Sequence, residues 1–165
     1  MKFTSDTANK TLKNLQAEME ATLNSADQSM TYSHGPAETP IIPKYDFKET
    51  EEKVQGLRKK IATIRHAINK FNVNTVIEDL GITVDEALGE MSYLNTKKKR
   101  LYRMLQIQET SRQRAFGGRE PDITHRNFNI EDAKAEYDKV CEYLIKYQQA
   151  INIANLTITF EIEGI

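Results

Sequence analysis

The sequence predicts a mainly α fold, an antiparallel three- to four-helix coiled-coil bundle with a short C-terminal β-strand. Three observations carry this expectation. Apolar residues in three long segments recur at alternating spacings of three and four; capping and breaking signals bracket those segments; and after Asn155 the period changes to two. A spacing of 3.5 buries only a narrow seam per helix, so each helix needs a neighbour before it is stable.

The first helix is expected from a cap at Ser5 or Asp6. Its seam of Ala8, Leu12, Leu15 and Met19 runs to about Leu23, where the apolar pattern fails. From Asn24 to Pro43 the composition turns to Ser, Thr, Gly and Pro, and Ile41 and Ile42 are its strong apolar pair. That segment reads as a long excursion, either mobile or laid against another surface by Ile41, Ile42 and Tyr45. Residues 1–45 are thus an N-terminal helix plus loop, and residues 46–165 are a bundle with its strand, together one domain.

The second helix spans about Asp46 to Phe71, with Phe47, Val54, Ile61 and Ile68 in one heptad position and Leu57, Ile64 and Phe71 in the other. A turn through Asp79, Leu80 and Gly81 leads to Thr83, whose Glu86 three residues on makes a capping box. The third helix then carries Val84, Met91 and Leu105 against Ala87, Leu94 and Leu101 and is expected to reach about Arg112. After Gly117, Gly118 and Pro121 break the pattern, Asn129 caps a fourth helix to about Ala154. Its seam sets Ile130, Tyr137, Leu144 and Ile151 against Ala133, Val140, Tyr147 and Ala154. Leu156, Ile158, Phe160 and Ile162 then alternate with Thr157, Thr159 and Glu161, a strand with one oily face. A lone strand leaves its backbone unsatisfied. An up-down-up bundle points to Asn74–Glu78 as its partner, or to the same strand of another subunit, so Leu156, Ile158, Phe160 and Ile162 are the candidate interface of a homo-oligomer.

Composition excludes some classes and leaves others open. Lys and Arg total 23 against 24 Asp and Glu, so there is no global bias toward nucleic acid or anionic membrane. Cys141 is the one cysteine, which excludes an intramolecular disulfide and suits a reducing cytoplasm; on its helix a buried thiol is expected rather than a nucleophile. The N-terminus has no apolar signal-peptide core, and no run approaches the roughly 20 apolar residues of a membrane span. The expectation is a soluble cytoplasmic protein without a membrane partner.

From Leu57 onward the order of features resembles an uncharacterised family of small bacterial proteins often labelled septicolysin. The shared features are a helix ending in Asn72, Asn74 and Thr75, and a start at Gly81, Thr83, Glu86, Ala87 and Leu88. An Arg-bearing loop and a last helix closing on Ile151, Asn152, Ala154 and Asn155 follow. The resemblance covers about two thirds of the chain and implies a helical protein of unassigned activity. Residues 1–45 depart from that pattern.

Candidate sites are few. Arg112, Arg114, Arg119, His125 and Arg126 surround Gly117 and Gly118, and guanidinium forks beside the amides of a capped helix start could hold a phosphate or carboxylate. This loop is the preferred place for a small anionic ligand or nucleotide. Lys97, Lys98, Lys99, Arg100 and Arg103 could track nucleic-acid phosphates. Interhelical pairing with Glu49, Glu51, Glu52, Glu131, Asp132, Glu136 and Asp138 is the favoured reading of that run. His34, His66 and His125 are scattered without a metal-ligand spacing, and neither a nucleophile elbow nor a phosphate-binding glycine loop is present. No catalytic residue, metal or cofactor is therefore assigned, and the favoured function is a self-associating interaction or scaffold protein.

Overall fold

In a computed structural model, which describes residues 1–112 and 122–164, four helices and six short strands follow one another. They are β1 (Lys2–Thr4), α1 (Ser5–Ser29), α2 (Phe47–Asn74), β2 (Val76–Ile77), β3 (Ile82–Thr83), α3 (Val84–Leu105), β4 (Thr110–Arg112), β5 (Ile123–His125), α4 (Ile130–Thr157) and β6 (Thr159–Glu161). The fold is mainly α with short antiparallel strands, as the seams require. It divides into two compact units, Met1–Thr75 with Ile153–Ile165, and Val76–Asn152.

In the first unit α1 packs along α2. The cap of α1 is Thr4, not Ser5 or Asp6: the Thr7 N–H donates to Thr4 Oγ1 and the Thr4 N–H to Thr7 Oγ1, while Ser5 is buried. The helix also runs past Leu23 to Ser29. Its seam continues as Thr22, Ala26 and Ser29, all half-buried at the same spacing, so a heptad of small residues replaces the apolar one. Asp46 caps α2 by accepting from the Glu49 N–H at 3.0 Å. Leu57, Ile61, Ile64, Ile68 and Phe71 are buried along α2, whereas Phe47, placed in the seam by its spacing, is exposed in the first turn.

The C-terminal strand corrects a sequence expectation. Within the chain its partner is not Asn74–Glu78 but β1, with Lys2 opposite Glu161, Phe3 opposite Phe160 and Thr4 opposite Thr159. Met1 and Ile162 exchange backbone bonds of 3.1 and 3.0 Å. β1 is only three residues long, too few to show a strand period, and the pairing closes a chain separation of about 160 residues, so the partner of the C-terminal strand was not legible locally. Phe3, Ala8, Ile64, Ile68 and Ile162 form the core, with Leu12, Leu15 and Phe160 packed on it. The Phe160 ring lies 4.9 Å from that of Phe71.

The second unit is built from local devices. The hairpin of β2 and β3 turns through Gly81, whose φ of 68° is one that an L side chain rarely adopts. Thr83 caps α3 in the expected box, accepting from the Glu86 N–H while Glu86 Oε2 accepts from the Thr83 N–H at 2.8 Å. These bonds hold the Glu86 carboxyl below its ordinary range, the backbone N–H first and the hydroxyl second. α3 ends at Leu105, short of Arg112, because the next seam positions are Gln108 and Arg112, with nothing apolar to bury. The chain then enters β4, paired with β5. Asn129 starts α4 by accepting from the Glu131 N–H at 2.8 Å. Leu94 and Leu101 of α3 and Val140 of α4 form the core, with Met104, Tyr137, Leu144 and Tyr147 packed around it.

Candidate functional site

The basic run of α3 acquires its character from helical spacing. Asn95, Lys98, Lys99 and Tyr102 stand three or four residues apart and share one face, with Arg103 beside them. Together with Thr96 and with Tyr137 of α4 they line a cavity of about 660 Å³. Lys97 pairs with Glu136 across the two helices. That bond is the first cause holding the Lys97 ammonium above, and the Glu136 carboxyl below, its ordinary range. Interhelical pairing within this unit therefore neutralises Lys97 alone. Among the described residues no carboxylate comes within 4.0 Å of Lys98, Lys99, Arg100 or Arg103.

Aromatic rings sit among these charges. The Lys98 ammonium lies 6.0 Å from the centre of the Tyr137 ring, a cation–π contact that explains how a lysine occupies a seam position. Tyr102 meets Tyr137 at 6.4 Å and 42° and remains 55% exposed. Partial desolvation, then the neighbouring Cys141 thiol, push the Tyr137 phenol above its ordinary range. Cys141 is half-buried rather than fully buried and lines an adjoining groove of about 390 Å³ with Met91, Leu144, Ile145 and Gln148. The interleaving of Tyr102 with the cations was present in the sequence, but only the α3–α4 packing makes a cavity of it.

The Arg-bearing loop is only partly brought together. Arg114 and Arg119 lie outside the described residues. Thr110 stands opposite His125 and Arg112 opposite Ile123, so Arg112 and His125 share one face of the hairpin as diagonal neighbours. The His125 ring nitrogen is 3.4 Å from Thr110 Oγ1. Arg126 is engaged elsewhere: its guanidinium donates to the Ile107 carbonyl and lies 5.7 Å from the Phe128 ring centre. A cation held in this way stabilises the hairpin, and of the described candidates only Arg112 and His125 share a face there.

The four strand residues also separate. Ile162 is buried and Phe160 half-buried in the first unit's core, while Leu156 and Ile158 are exposed. Because Met1 and Ile162 exchange both of their bonds, alternate residues of β6 face β1 and the others face away. Thr159 and Glu161 accordingly turn their N–H and C=O groups to the outer edge, where no described residue pairs with them. That edge borders a groove of about 640 Å³ floored by Ala67, Phe71 and Phe160 and flanked by His66 and Lys70 of α2. Sequence reasoning missed this groove, since nothing in the spacing of His66 and Lys70 announces a strand beside them.

Among the described residues no three His, Cys, Asp or Glu side chains converge as a metal site, and no described helix is long and apolar enough to cross a membrane. No protein-family model and no curated protein matches the chain. A solved structure from Corynebacterium diphtheriae, described as a functionally unknown conserved protein, is similar at a TM-score of 0.70. It covers 98% of this chain and 100% of its own at 16% identity. At that identity the likeness shows the fold, a mainly α chain with short antiparallel strands, and no activity comes with it.

Proposed function

We propose that this is a helical interaction protein of the cytoplasm, a scaffold that self-associates through its C-terminal strand. The observation that carries this reading is the outer edge of β6, where Thr159 and Glu161 present backbone groups with no partner among the described residues, beside an amphipathic groove. An unpaired edge is a template for another strand, and main-chain bonds supply affinity while alternate side chains supply selectivity. A second copy laying its own β6 antiparallel on this edge would turn two strands into four by a twofold, self-complementary contact. The groove carries both charge signs, Lys70 against Glu161 and Glu163, which suits a self-complementary contact. The resemblance to the septicolysin-labelled family belongs to the same proposal: its members should carry the same strand and edge.

Light scattering coupled to size exclusion tests it. The expected species at micromolar concentration is a dimer. Glu161→Pro removes one outward N–H without touching the bonds to β1, so it should yield a monomer of unchanged helicity by circular dichroism. A strictly monomeric unaltered chain would overturn the reading. Removing Leu156–Ile165 is not the test, because it would also remove Ile162 from the core.

A further inference from the structure

We propose that the α3 face of Lys98, Lys99, Tyr102 and Arg103 binds a nucleotide, free or within a single strand, with phosphates on the cations and a base on the Tyr102 ring. This goes beyond self-association and rests on the other unit, so the two can fail separately.

Three observations converge on it. The first is charge without compensation. Of the cations between Lys97 and Arg103, Lys97 has a carboxylate partner, whereas Lys98, Lys99, Arg100 and Arg103 have none within 4.0 Å among the described residues. Like charges crowded on one turn repel one another, and a polyanion relieves that repulsion while releasing its own counterions.

The second is a ring at the right place. Tyr102 leans on Tyr137, which supports it, and keeps 55% of its surface open. Any base has a π-face, so an exposed tyrosine beside a cationic stripe is the arrangement that takes bases without reading sequence. Lys98 already lies over Tyr137, which leaves Tyr102 as the stacking surface.

The third is size. The cavity of about 660 Å³ lies within the range of small-molecule sites, about 300–1,000 Å³. Asn95 to Arg103 spans about 12 Å along the helix, room for about three phosphates of a strand. Asn95 and Thr96 at one end supply neutral hydrogen-bonding groups for the edge of a ring or a ribose hydroxyl.

An acidic peptide would answer the charge but has no use for the open tyrosine ring, so the ring decides between the two. The probes are a fluorescent ATP analogue, an eight-residue oligouridylate labelled at one end, and inorganic phosphate, each titrated into the full chain at low salt. The nucleotide or the oligomer should bind, with phosphate at least tenfold weaker than either. A tighter oligomer identifies a strand as the ligand, with a log–log salt slope near about −2; equal affinities identify the free nucleotide. Lys99→Glu with Arg103→Glu should abolish binding, and Tyr102→Ala should weaken it roughly tenfold while leaving the salt slope unchanged. These three side chains are exposed, and circular dichroism verifies the fold of each variant. Arg58→Glu with Lys59→Glu on α2 makes the same charge change at residues that do not line the cavity and should leave binding intact. Absence of binding by both nucleotide probes overturns the proposal, as does phosphate binding as tightly as they do or Tyr102→Ala binding unchanged.

Discussion

The two units solve the same problem, a narrow helical seam that needs a neighbour, with pieces drawn from different distances along the chain. The second unit uses neighbours in sequence: a hairpin turning at Gly81, a capping box from Thr83 to Glu86, and a helix pair joined through β4 and β5. The first closes its core with a three-residue strand from one end of the described chain and a three-residue strand from the other, and only then buries Phe3 and Ile162 against Ile64 and Ile68. Local devices form early and independently, whereas a contact closing about 160 residues forms only when the rest already holds the two ends near each other. The difference extends to the surfaces. The distant closure leaves an unpaired backbone edge and a groove floored by apolar side chains, and the local unit leaves a charged, tyrosine-bearing helix face.

Removing long-range closure should have the largest effect. Ile162 is buried in that core, and Ile162→Ala should lower stability by about 3 kcal/mol in urea unfolding. Phe3→Ala should cost a similar amount, and the double variant less than the sum, because both side chains serve one closure and each single change already loosens it. Additive costs would break the comparison. In the local unit Leu101→Ala should cost about 2 kcal/mol, since Leu101 is buried against Val140. Thr83→Ala should cost less, about 1 kcal/mol, the usual loss of an N-cap. A Thr83→Ala penalty as large as that of Ile162→Ala would mean that the capping box, not the core, sets the stability of its unit.

The smallest effect is electrostatic and its sign follows from the bonds. The Glu136 and Glu86 carboxyls are held below their ordinary range, so their contributions are complete above about pH 4.3 and disappear as pH falls through their depressed values. Lys97 is raised, so its contribution is complete below about pH 10.4 and disappears as pH rises through its raised value. Melting temperatures measured between neutral and acid pH should fall less steeply in Glu136→Gln than in the unaltered chain. Equal slopes would remove the Lys97 pair as a pH-sensitive contact.

What was legible in the sequence follows the same division. The seams of α2, α3 and α4 and the caps at Thr83 and Asn129 were readable because a helix repeats every few residues and its ends must satisfy free N–H groups locally. The last turns of α1 were not, since Thr22, Ala26 and Ser29 fill the seam with small side chains that an apolar count passes over. Part of the basic site was visible as a cluster of Lys and Arg, and the structure changed its meaning: one lysine is paired and one lies on a ring. The Arg-bearing loop read as one anion site, yet Arg126 turned to Phe128 and to a carbonyl, a choice set by what the hairpin places beside it.

By itself the sequence determined the helices, their buried faces and the change of period after Asn155, because each is a repeating demand on neighbouring residues. Tertiary structure alone decided that Phe3 pairs with Phe160, that the edge at Thr159 and Glu161 stays open, and that Tyr102 stands beside a cavity. Those outcomes depend on which distant surfaces meet, and the energy of such meetings is shared among residues that no local spacing connects.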